Sequence, residues 1–424
     1  MVVIRKIKTA FSVLKSHGAR EVGGLAKDNV INFYKKSSGA ISRAAKKIAI
    51  RLFPDKERKS GRIHILYVTT EYEALHSQTV RYRVHNFREA LRGKADTCFS
   101  LVTKTDDRLI GWADVVVLMR VTYTEQAQTL IDSAKRQHVP VIFDIDDIVF
   151  LPEYAPHYCR VLGDTSEENI KKRSGEFEGF EKTFRLCDYC TASTQYIADI
   201  MQKEGKYAKV IHNGLNQTQL HIASRSHHEN FSRAIGYLSG TKTHDQDFLK
   251  ALPALEKIFS EYDDVSLRVA GYLDLSVLPE NIAKRTSTAC YMSWQRLMSY
   301  GARNYINIAP LDITNPFCHA KSELKYFEAA AVGVPTVASA TDTFSRCIEN
   351  KDNGMLASDD EEWYLSIKAL LDDVGLYEHI SKKAKAYALS HYSPDATAIE
   401  ALAAYKDIID KAKSDLESDR RPLD

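Results

Sequence analysis

The chain has 424 residues, 44% hydrophobic and 27% charged, with 58 Lys and Arg against 56 Asp and Glu for a net charge of +2. That length exceeds what one core usually fills, so two domains are expected, and no apolar run approaches the ~18 residues of a membrane span. Seven cysteines scattered over so long a chain fit a reducing compartment, and nothing resembles a signal peptide, so a cytoplasmic protein is expected.

Residues 1–62 hold 16 Lys/Arg against 4 Asp/Glu, a surplus of +12, and the rest of the chain sums to −10. Within this arm Ile41, Ala44, Ala45, Ile48 and Leu52 recur at helical spacing, with Arg43, Lys46, Lys47 and Arg51 opposite. A basic amphipathic extension over 1–61 is expected. Either it lies on an anionic membrane surface through residues 1–58, peripheral to the inner face of the membrane, or it packs on the protein body. Nucleic acid is not expected as a partner, because no stacking aromatics alternate with the cations.

From Arg62 the pattern becomes strand, helix, strand. "RIHILYVTTEY" reads as a buried strand and "RYRVHNFREALRG" as a helix with Val84, Phe87 and Leu91 inward. "ADVVVLM", "VPVIFDIDD", "CDYCTAST" and "AKVIHNGLN" continue as strands separated by helical segments. Such alternation predicts a parallel sheet covered on both faces over 62–216. The polar run 217–233 reads as a linker. A second alternating series over 234–392 contains "AIGYLSGTKTHDQDF", "VSLRVAGYLDL", "YINIAPLD" and "AKSELKYFEAAAVGVPTVAS". A last helix over 393–424 is expected to pack back towards the first domain. The fold class is therefore α/β, two Rossmann-like domains facing across a cleft, with ligands beyond the carboxyl ends of the strands.

Five loops carry candidate chemistry. In "AKSELKYFEAAAVGVPTVAS" a helix beginning near His319 would place Lys321, Lys325 and Glu328 along one stripe and present free N–H groups and a positive dipole end to an anion. Ser322 adds a donor there, and Glu328 suits a pair of ribose hydroxyls; the plain alternative is an ion pair between Lys325 and Glu328. "AIGYLSGTKTH" brings Gly240, Thr241, Lys242 and His244 into a strand-to-helix turn fit for phosphate, or for a simple helix cap. "FDIDDIVF" puts Asp144, Asp146 and Asp147 at a strand end. Asp144 and Asp146, spaced D-x-D, suit a divalent cation or helix caps, and Asp146 and Asp147 suit sugar hydroxyls or general-base work. Glu71 and His76 follow the first strand, and His212 and Asn213 close the last one, as a turn or as cleft lining. Cys187 and Cys190 form a lone C-x-x-C without a second ligand pair, which reads as helix packing rather than a metal centre.

"FEAAAVGVPTVAS", "VIHNGLN" and "IGYLSGTKTH" together resemble the retaining nucleotide-sugar glycosyltransferases of the glycosyltransferase-B fold, family 4, over about residues 62–395. Lys321, Ser322 and Lys325 in the pattern F-x-x-x-K-S-x-L-K-x-x-E resemble a bacterial surface-polysaccharide subset. The resemblance implies a nucleotide-diphosphate sugar as donor, no obligatory cofactor or metal, and a glycan or lipid-linked oligosaccharide as acceptor. It implies a ribose contact for Glu328 and phosphate contacts around Ser239–Thr241. The family's first glutamate is replaced by Ala320 and its Gly-Gly loop by "TTEYEALHSQTVRYRV", so Lys321 and Lys325, with Arg81 or Arg83, are expected to take over the anion. Asp146 and Asp147 stand where the family has a strand-end histidine; with Lys321 they are the expected catalytic groups. A nucleotide-sugar epimerase and a non-catalytic glycan-binding or transferase partner are the other two functions this sequence admits.

Overall fold

The computed structural model describes residues 61–226, 232–239 and 245–419. The basic extension lies outside the described residues, as do Gly240, Thr241, Lys242, His244 and the side chain of His76.

Two six-stranded sheets dominate. The first comprises β1 (His64–Thr69), β2 (Asp96–Leu101), β3 (Val115–Met119), β4 (Val141–Ile145), β5 (Tyr189–Ala192) and β6 (Tyr207–Val210), in the order β2-β1-β3-β4-β5-β6. The second comprises β7 (Arg233–Leu238), β8 (Val265–Ala270), β9 (Thr286–Ala289), β10 (Ile306–Ala309), β11 (Thr336–Ser339) and β12 (Met355–Ala357), in the order β12-β11-β10-β7-β8-β9. Every pairing is parallel, as between β1 and β3, where Tyr67 lies opposite Val117. Central strands such as β1 and β3 are buried at every position, which is why they read as unbroken apolar runs.

The helices that place the site are α1 (Glu71–His76), α2 (Gln217–Arg225), α3 (Trp294–Gly301), α4 (Leu324–Ala331), α5 (Val374–His391) and α6 (Pro394–Asp419). Val84, Phe87 and Leu91 are fully buried as their spacing predicts. The segment carrying Val84 is one π-helical turn, Arg81–Asn86, followed by a short α-helix, Phe87–Ala90. Residues 217–225, expected as linker, instead form α2, opened by a reciprocal cap between Asn216 and Gln219. Gly236 sits inside β7, where a Cβ would meet the Asn304 amide at 1.8 Å.

The chain passes from the first sheet to the second after Leu215, and returns through Tyr392 into α6. The two crossings touch, since Leu215 N donates to Tyr392 O at 2.8 Å. α6 then runs along the first domain, where Tyr405 meets Tyr67 hydroxyl to hydroxyl at 3.2 Å and Asp415 accepts from Tyr189 at 2.9 Å. One apolar core runs from the first sheet through the seam to Phe317, Tyr326 and Phe327, and a second fills the far side of the C-terminal sheet around Trp363 and Leu255.

Candidate active site

The helix expected from His319 is two pieces. Asn315 caps a single turn, Pro316–His319, and Pro316 at its start fixes the backbone for it. The chain then bends through Ala320–Ser322, and α4 begins at Leu324 after Glu323. Lys321 and Ser322 therefore stand in the bend ahead of α4, and only Lys325 and Glu328 ride on it. The single lysine–glutamate stripe is corrected accordingly. Ser322 is held from the opposite domain by Asn213 Nδ2 at 3.0 Å. α4 ends in a Schellman turn: Gly333, at φ +80, donates to Ala330 O, and Val334 donates to Ala329 O.

All the same, bend and helix bring all four of these groups to one place. A cavity of about 270 Å³ at the domain seam is lined by Lys321, Ser322, Lys325 and Glu328 on one side and by Tyr82, Asp146, Asp147 and Asn213 on the other. Leu238, Leu297, Met298 and Leu324 add an apolar part to its lining, along α3 and the start of α4. A lining that joins charged and apolar groups is what a ligand with a polyanionic part and a flat part requires.

Each charged group has a defined partner. Lys321 Nζ lies 2.8 Å from Asp147 Oδ1, across the seam. Burial alone would lower its pKa, but Asp147 beside it more than offsets this and raises it. Lys325 Nζ donates to Leu238 O at 2.6 Å and sits 4.8 Å from the centre of the Tyr237 ring. Burial lowers its pKa to about 8. Lys325 and Glu328 do not pair with each other, because Glu328 Oε1 accepts from Tyr82 Oη at 2.5 Å and Gln219 Nε2 at 2.7 Å.

The strand-end aspartates divide into three environments. Asp144 is buried beneath the cleft and receives Arg83 Nη2 at 2.5 Å, Arg83 Nε at 3.1 Å and Thr191 Oγ1 at 2.7 Å. Arg83 is buried with it and also donates to Ile211 O, so neither lines the cavity. Their expected place at the cleft surface is corrected: a buried cation and a buried anion satisfy each other. Asp146 accepts from Arg120 at 3.0 Å and Thr79 at 2.8 Å. Burial opposes its charge, yet Arg120 and Thr79 hold its carboxyl below the usual range. Asp147 keeps Lys321 on one oxygen, with Arg120 Nη1 3.8 Å from the other. Asp144 and Asp146 thus face different arginines and do not converge on one point as a cation would require.

Other candidates fall elsewhere. Glu71 is exposed in the first turn of α1, whereas Glu73, two residues on, is buried and lies 3.8 Å from Arg120. Arg81 lies over the Tyr82 ring at 3.8 Å and the Trp294 ring at 4.8 Å, bridging the two domains. His212 bonds Glu400 of α6 at 2.7 Å and opens to a separate hollow with Glu323 and Tyr392. Cys187 and Cys190 are buried.

Tyr82, Gln219 and Arg120 escaped the sequence reading. Gln219 lay in a presumed linker. Tyr82 stands between Arg81 and Arg83, whose charges mask it in the sequence. Arg120 follows the apolar run "VVVLM", and a cation ending a buried strand was the available signal. Its φ of +47 is rare for a residue with a side chain, and such backbone strain gathers at functional sites.

Residues 212–373 match the family model described as Glycosyl transferases group 1. The chain carries a glycosyltransferase domain. Its whole fold is similar to a glycosyltransferase from Rickettsia africae, with a TM-score of 0.56 and 13% identity over 82% of this chain and 99% of that one. It is similar also to HepE of Anabaena, crystallised with UDP and glucose, with a TM-score of 0.55 and 13% identity over 82% of this chain and all of the other. Sucrose-phosphate synthase of Thermosynechococcus elongatus gives a TM-score of 0.54 at 11% identity, again over 82% of this chain and all of that one. No curated protein matches the chain in sequence. These likenesses show the glycosyltransferase-B fold, and the glycosyltransferase domain covers α4 and all six strands of the C-terminal sheet.

Proposed function

We propose that this glycosyltransferase moves a sugar, with retention at the anomeric carbon, from a nucleotide-diphosphate donor to a hydroxyl of a growing surface glycan. The observation that carries the reading is the seam cavity that sets Lys321, Lys325 and Glu328 against Asp146 and Asp147. The apolar lining around Leu297 suits the base, Glu328 the ribose, and the two lysines the diphosphate. Both cations then face the charge that grows on the leaving phosphate, where a preorganised donor acts most strongly. Asp147 is the better placed carboxylate to meet an acceptor hydroxyl, because both oxygens of Asp146 are taken by Arg120 and Thr79. Retention fits attack on the donor's own face, with the departing phosphate taking the acceptor's proton. The HepE complex with UDP and glucose supports a uridine nucleotide as the first donor to try.

A panel of nucleoside diphosphates tests this. The right one, at 100 times its Kd, raises folding stability by about 2.7 kcal/mol, read as a shift in Tm. Lys321→Ala is expected to lower turnover of the matching sugar nucleotide by ~10²–10³. No stabilisation by any nucleotide, or an unchanged rate in Lys321→Ala, would sink the reading.

A further inference from the structure

The groups read as donor ligands are already occupied, and most of their partners come from the opposite domain. Lys321 holds Asp147 at 2.8 Å, Glu328 receives Tyr82 at 2.5 Å and Gln219 at 2.7 Å, and Ser322 receives Asn213 at 3.0 Å. The Lys321 contact differs in kind from the others. Hydrogen bonds to Glu328 fall on Oε1, and Ser322 accepts while keeping its own O–H, so both retain capacity for a ligand. Asp147, by contrast, is an anion resting on the ammonium that an anionic donor must reach. Both side chains are about one-fifth exposed, so the pair is only partly screened by water.

We infer that Asp147 is an internal competitor of the donor diphosphate: it occupies Lys321 until phosphate displaces it. This rests on the reading of Lys321 as a phosphate ligand. The exchange has a consequence on the acceptor side. Asp146 remains fixed by Arg120 and Thr79 whether or not the donor is present. Asp147, once released, keeps only the more distant Arg120, 3.8 Å away, and becomes available to a sugar hydroxyl. Donor binding thereby delivers one free carboxylate to the cleft, and the acceptor site is completed after the donor site is filled. No bond to carbon or phosphorus changes in this step; one ionic contact replaces another, and no proton need move.

A double-mutant cycle on UDP affinity, measured calorimetrically, tests the competition. Asp147→Asn keeps the shape and removes the charge, so UDP is expected to bind about tenfold more tightly than to the unaltered chain. In a Lys321→Ala background the same change is expected to leave UDP affinity within about twofold, because the contested cation is gone. Asp147→Ser repeats the comparison with a smaller side chain should the asparagine variant fail to fold. Equal or weaker UDP binding by the folded Asp147 variants, or tightening that persists without Lys321, overturns the inference. If neither UDP, GDP nor ADP binds the unaltered chain, the donor reading falls and takes this inference with it; binding without the tightening removes the inference alone.

Discussion

Lys325 shows how burial sets the charge of a proposed diphosphate ligand near neutral pH. Its ammonium is held to the Leu238 carbonyl at 2.6 Å, and burial brings its pKa to about 8. Near pH 7 the group stays mostly protonated, but one or two pH units higher it does not. Since an unfolded lysine titrates near ~10.4, the folded chain gives up this proton first. Between about 8 and ~10.4 the unfolded state binds more protons, so this lysine makes stability rise with pH across that window. Affinity for a diphosphate should move the other way. We expect the Kd for UDP to rise towards tenfold per unit above about pH 8, and Lys325→Met to bind weakly with no such limb. Calorimetric titrations and urea melts over the same pH series check the opposed trends. A flat UDP profile in the unaltered chain would remove Lys325 from the anion site.

At the scale of elements, local backbone geometry decides where the site loops lie. Gly271, just after β8, has φ +98, and a Cβ there would sit 1.8 Å from the Ser239 carbonyl. Ser239 in turn donates its N–H to Ala270 O at 2.8 Å, so the ends of β7 and β8 lie tightly together. Gly271→Ala adds a left-handed strain of roughly 1–2 kcal/mol to a backbone clash and should lower stability by at least that amount. Thermal unfolding checks it, and an unchanged Tm would refute the close approach. The same scale explains what could be read from the sequence. Strands in the middle of each sheet, such as "HILYVT" and "VVVLM", are buried on both faces and announced themselves as apolar runs. β2, β9 and β12, which the sequence reading passed over, are all edge strands. β9 is "TSTA", largely exposed, and β12 has only three residues, so neither carries the apolar signal. Glu328, Lys325, Lys321 and Asp147 were legible because charges within buried patterns stand out. Their division of labour was not, since pairings such as Asp144 with Arg83 span 61 residues and leave no local periodicity. Lys321 left the helix for the same kind of reason: Pro316 and the Asn213–Ser322 bond act from outside the α4 pattern.

For the whole molecule, α6 matters as much as the cleft. It follows the C-terminal domain in the chain yet covers the first one, with Tyr405 fully buried against Tyr67 at a ring separation of 6.3 Å. His212 is tied to Glu400 of the same helix, and although burial lowers its pKa, Glu400 outweighs this and raises it. Tyr405→Ala should cost about 3–5 kcal/mol, the usual price of emptying a buried aromatic site. Urea denaturation measures it, and a loss below about 1 kcal/mol would show that α6 rests on the surface without supporting the core.

The return of the chain has a consequence for biosynthesis. The first sheet leaves the ribosome early, but the helix that seals Tyr67 and Tyr189 is translated only after the entire second sheet. Early emergence therefore does not mean early completion: the segment made first must wait, partly uncovered, while the later one can finish ahead of it. Nascent chains arrested before residue 394 should accordingly expose the flank of β1 and β5, a natural target for holding chaperones, until the last turns arrive to close it.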